Sequence, residues 1–88
     1  MQNRTVTVQC EHGLHARVAA QVVKAARDHE ARVTVRCRDC PEASACSILQ
    51  LLMLGAEHGA DVEIEADGAD EDAALRAVAG VFEQGGGI

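Results

Sequence analysis

Two hydrophobic rhythms alternate along the chain. Arg4-Thr5-Val6-Thr7-Val8-Gln9 repeats with period two, which predicts a strand with Val6 and Val8 inward. After a short loop over Glu11 to Leu14 the spacing turns helical. Val18, Val22, Ala25 and Ala26, with Ala19 and Val23 beside them, form one apolar stripe between Ala16 and about Asp28. Arg32 to Cys37 alternates again as a second strand, and Asp39 to Pro41 marks a turn that a short strand can follow. Ser47-Ile48-Leu49-Gln50 fits a capping box, in which the serine oxygen takes the third helical amide and Gln50 reaches back. The helix opened there carries Leu51, Leu52 and Leu54 and is expected to stop before Gly59, a left-handed cap. Ala60 to Ala66 reads as a strand with Val62 and Ile64 inward and Glu63 and Glu65 outward. Asp70 and Glu71 suit a helix N-terminus by capping and charge. Leu75, Val78, Ala79 and Phe82, at i, i+3, i+4 and i+7, give that last helix its apolar face.

The predicted order is therefore β-α-β-β-α-β-α. Each strand keeps one polar face, as expected where helices cover a single side of an antiparallel sheet. The fold class is an α/β two-layer sandwich, with a four-stranded antiparallel sheet covered on one face by three helices. Residues 1–84 form one expected domain, and 85–88 a glycine-rich tail.

Composition narrows what such a domain can do. With 88 residues, the chain buries only about 60% of the surface exposed when unfolded. Phe82 is the only aromatic, so a site that stacks rings or nucleobases is not expected. The formal charge is −6, with no Lys/Arg block, which argues against a nucleic-acid partner. Met1 to Gln9 lacks an apolar signal-peptide core. No stretch approaches the roughly 20 apolar residues of a membrane span. A cytoplasmic protein without membrane insertion is expected, with Cys10, Cys37, Cys40 and Cys46 largely reduced there.

Candidate chemistry concentrates where the first loop becomes a helix. His15 stands at or beside the helix N-cap, and the amides of Ala16, Arg17 and Val18 have no acceptor inside the helix. Those donors and the positive end of the macrodipole suit a phosphate on the histidine. Arg17 can add a forked guanidinium contact. The same field favours a neutral imidazole with a nucleophilic nitrogen near pH 7. Local physics alone leaves a second reading open, in which His15 is an exposed cap residue and Arg17 a solvated charge.

Gly13-Leu14-His15-Ala16-Arg17 resembles the active-site motif of the histidine-containing phosphocarrier (HPr) family of the bacterial phosphotransferase system. A second match follows in Ser47-Ile48-Leu49-Gln50-Leu51-Leu52-Met53-Leu54-Gly55 and Gly59-Ala60-Asp61-Val62-Glu63-Ile64. The resemblance covers nearly the whole chain, and that family's open-faced sandwich has the same element order. Leu51 to Leu54, Glu63 to Ala66 and the Ala74-Leu75 to Val78 pattern are similar to its nitrogen-related branch.

The resemblance implies a relay protein rather than a turnover enzyme, with no cofactor and no metal. His15 would accept phosphate on Nδ1 from enzyme I or its nitrogen-branch counterpart, which takes it from phosphoenolpyruvate. It would pass the group to a histidine of an enzyme IIA-type protein, in sugar transport or nitrogen regulation. Arg17 matches the active-site arginine. Ser47 matches a regulatory serine that a dedicated kinase phosphorylates in some relatives, although a plain helix cap explains it equally. Ile48, Leu49 and Leu52 match the apolar docking patch, with core packing as the other reading. Ala16, Ala20, Lys24 and Arg27 would flank the patch as small contacts and a basic rim. The protein is expected to be a monomer.

Some residues depart from the family pattern. Val18 replaces the usual proline after the arginine, which a first helical turn tolerates. His12 could hydrogen-bond a phosphate on His15 or be a solvated loop residue. Cys37-Arg38-Asp39-Cys40 has the C-x-x-C spacing of zinc and redox motifs, with Cys10, Cys46 or His12 as the remaining ligands. Incidental thiols, a conditional disulfide and a metal site stay open. The rival functions are a regulatory binding protein acting through Ser47, a thiol or metal module using Cys37 and Cys40, and a hydrolase with His15 as base.

Overall fold

A computed structural model describes residues 1–9, 16–37, 42–54 and 57–83. The order is β1 (Gln2–Thr7), α1 (Ala16–Arg27), β2 (Arg32–Cys37), β3 (Ala43–Ser44), α2 (Ile48–Leu54), β4 (Asp61–Asp67) and α3 (Glu71–Glu83). The predicted sandwich is the observed one. The tail expected over 85–88, the turn at 39–41, His12, His15, Cys10 and Cys40 lie outside the described residues.

The four strands lie in the order β1-β4-β2-β3, and every neighbouring pair is antiparallel. Val62 of the central β4 faces Val6 of β1, and Ile64 faces Val35 of β2. The period-two pattern thus puts Val6, Val33, Val35, Val62, Ile64 and Ala66 on one buried face. Helices supply the opposing layer through Val18, Val22, Ala26, Leu51, Leu54, Leu75, Val78 and Phe82. The lone aromatic is fully buried in it. On the other face, register partners pair polar groups. The Thr7 hydroxyl donates to Asp61 at 2.8 Å, and the Arg36 guanidinium pairs with Glu63.

Two turn residues behave differently from their local reading. Gly59 has φ +88°, but α2 ends at Leu54, so it does not cap that helix. It sits in the turn closed by the Ala60 amide on the Glu57 carbonyl at 2.9 Å, and its own amide donates to Val8 at 2.9 Å. Its left-handed conformation serves the entry into β4. Asp70 starts α3, its carbonyl taking the Ala74 amide at 2.9 Å. Its carboxylate reaches across the fold instead of capping its own helix, and accepts the Glu30 and Ala31 amides at 3.0 and 2.8 Å.

Candidate phosphoryl-transfer site

Helix α1 begins at Ala16, the residue directly after His15 in the chain. The first amides of this helix, which find no acceptor within the helix itself, are those of Ala16, Arg17 and Val18. No acidic residue stands in that turn. His15 itself lies outside the described residues. Arg17 is exposed and forms no ion pair with any described residue. Ala16, Ala20, Lys24 and Arg27 are exposed on the same helix, whereas Val18 is buried in the core at 2% exposure. Arg17, Ala20, Lys24 and Arg27 follow spacings of three and four, which places them on one outward face. Val18 thus occupies the position of the missing proline as a packing residue.

Helix α2 packs beside α1. Its cap is the predicted one in half of its bonds. The Ser47 hydroxyl accepts the Gln50 amide at 3.2 Å, and the Ser47 carbonyl accepts Leu51 at 3.0 Å. The reciprocal arm differs: Gln50 Oε1 accepts the Ser44 amide at 2.8 Å. The Ser47 amide is already taken by the Ser44 carbonyl at 3.1 Å, so the glutamine ties the helix to β3.

Leu51 and Leu54 point into the core. Ile48, Leu49 and Leu52 do not, being 42%, 68% and 37% exposed. Of the two readings of these three residues, core packing is excluded. Met53, at 77%, is exposed beside them and was not singled out from the sequence. It stands one helical turn from Leu49, and that i, i+4 relation was the available signal. An apolar patch on α2 therefore adjoins a helix whose outward face is basic, on a chain of net charge −6.

Of the described thiols, Cys46 directly precedes the capping Ser47. Cys37 is half-buried at the end of β2, and Cys46 is exposed ahead of α2. Among the described residues, no three His, Cys, Asp or Glu side chains gather as metal ligands do. No described helix is long and apolar enough to cross a membrane.

Comparison with known proteins resolves the family. The family model for the "PTS HPr component phosphorylation site" matches residues 2–84. The chain belongs to the PTS-HPr family. Phosphocarrier protein NPr of Proteus mirabilis is 37% identical over 84 residues, spanning 96% of this chain and 93% of that one. Its Escherichia coli K12 counterpart is 37% identical over 82 residues, 93% of this chain and 91% of that one. The crystal structure of HPr-C-His from Thermoanaerobacter tengcongensis superposes with a TM-score of 0.91 at 32% identity, covering 100% of this chain and 98% of that one. The fold, the phosphotransferase-system phosphocarrier function and the likeness to the nitrogen-related branch are those expected from the sequence.

Proposed function

We propose that His15 is the residue that carries the phosphoryl group. The start of α1 at Ala16, with Arg17 exposed at its first turn and no carboxylate there, is the observation that supports this most. The Nδ1 lone pair of a neutral His15 forms the new P–N bond as the bond to the donor breaks. Arg17 and the amides of Ala16, Arg17 and Val18 offset the charge on the phosphoryl oxygens. Transfer onward reverses these roles, with the acceptor histidine attacking phosphorus and His15 leaving.

The donor is an enzyme I-type phosphotransferase and the acceptor an enzyme IIA-type protein, both met in the cytoplasm by a monomer. They dock on Ile48, Leu49 and Leu52, with Ala16, Ala20, Lys24 and Arg27 as the rim. Opposite charge on the partner speeds encounter. Ser47, at the edge of this patch, is a site where a kinase could tune docking. Incubation with labelled phosphoenolpyruvate and each enzyme I paralogue of the organism tests the reading. One paralogue should give an acid-labile, alkali-stable label that His15→Ala abolishes. Label surviving that substitution refutes the assignment.

A further inference from the structure

Helix α2 spans seven residues, Ile48–Leu54. With Leu51 and Leu54 inward, the most exposed apolar ridge is Leu49 and Met53, adjacent turns of one face. Met53 is 77% exposed, more than any other large apolar side chain among the described residues. Its surroundings on α2 are uncharged and mostly apolar: Ile48, Leu49 and Leu52 are exposed with it, and Gln50, one turn back, is the helix's exposed polar residue. A flexible, polarisable thioether at such a place can adapt to differently shaped partners. It is also the group in that ridge that peroxide attacks without any special activation.

We propose that Met53 is a partner-contacting residue whose oxidation to the sulfoxide weakens docking, making phosphoryl transfer sensitive to peroxide. The proposal rests on the reading of the α2 patch as the docking surface. The chemistry is a two-electron oxygen transfer. The Met53 sulfur lone pair attacks peroxide, the O–O bond breaks, and the products are the sulfoxide and water. A polar S=O then stands where an apolar contact would be desolvated. The fold is insulated from the change, because the Met53 side chain contributes little to the core. The other methionine, Met1, is similarly exposed at 73%. Its amine pairs with Glu71 of α3 at 2.9 Å and not with a residue of α2, so it serves as an internal control.

The test treats the whole protein with hydrogen peroxide and then with dithiothreitol, which returns reversible thiol oxidation to the reduced state. Peptide mass spectrometry locates the added oxygen on Met1 and Met53. Transfer from the cognate enzyme I-type protein should fall by roughly tenfold in kcat/KM, as for one apolar contact made polar. The fall should lie mainly in KM, with an unchanged melting temperature. Methionine sulfoxide reductases should restore the rate. Met53→Leu should transfer equally before and after peroxide, although Met1 is still oxidised. An unchanged rate in oxidised wild type, or an equal loss in Met53→Leu, overturns the proposal. Leu49→Asp separates the two readings. If it slows transfer while the sulfoxide does not, the docking surface stands and Met53 is not part of its sensitivity. If neither slows transfer, the docking reading falls and takes the proposal with it.

Discussion

The Asp70 carboxylate accepts the Ala31 amide at 2.8 Å, joining the start of α3 to the segment between α1 and β2. The Glu30 amide donates to the same carboxylate at 3.0 Å. These amides, Glu30's first, hold the Asp70 carboxyl below the usual carboxylate range. A depressed pKa contributes stability that is complete above the unfolded value of about 3.9 and is lost as pH falls through the folded one. Asp70→Ala should therefore lower the urea midpoint at pH 7. The gap between variant and wild type should close as pH drops below about 4. A gap that persists at pH 2 would show that the carboxylate charge is not the cause.

Gly68, two residues before Asp70, meets the same segment. It has φ +154°, and a Cβ there would lie 2.6 Å from the Ala31 Cα. Gly59 has φ +88° but open space around it. Gly59→Ala should cost about 1 kcal/mol of backbone strain. Gly68→Ala adds a clash with main chain and should cost upwards of about 2 kcal/mol. Equal urea midpoints for the two variants would contradict the close approach.

Asp70 and Gln50 mark the limit of what is legible in the sequence. Val6, Val8, Val62 and Ile64 read as inward from the sequence because a strand's period repeats over adjacent residues, and the same period marks Arg32 to Cys37 as a strand. Phe82 and its stripe followed from the helical period for the same reason. Capping rules are local, so they assign Asp70 and Gln50 to their own helices. Their carboxylate and amide oxygens instead found the Ala31 and Ser44 amides, which the chain brings near only after folding. The outward leucines of α2 were ambiguous because seven residues give barely two turns. Only the position of the sheet beneath decides which of four adjacent apolar side chains turn inward.

Arg17 is exposed at the first turn of α1, so its loss should leave the fold unchanged. Arg17→Ala should still accept label but transfer it more slowly. The missing charge-assisted contact is worth about 1–3 kcal/mol, or roughly 5- to 160-fold in kcat/KM. Arg17→Lys should recover only part of this, since an ammonium cannot make the forked contact. Full recovery by lysine would mean that point charge alone suffices.

Stability and transfer measurements separate the two roles open to Ser47. Its hydroxyl accepts the Gln50 amide at 3.2 Å, so it caps α2 whatever else it does. Ser47→Ala should lose about 1 kcal/mol of stability by deleting that acceptor. The neighbouring Ile48 and Leu49 stay uncharged, so transfer from the upstream enzyme should remain normal. Ser47→Asp keeps an acceptor for the same amide and places negative charge at the positive end of the helix, so stability should hold or rise slightly. Docking should suffer, because that charge stands next in the chain to the exposed Ile48 and Leu49. A partner that matches the basic face of α1 is acidic, and it would now meet repulsion. Transfer to Ser47→Asp should therefore be slower, with the defect shrinking as salt rises if long-range repulsion is the cause. Steady-state transfer measured across a salt series, beside urea melts of both variants, distinguishes the outcomes. If Ser47→Asp transfers as fast as wild type, or unfolds, then Ser47 is a cap and not a switch.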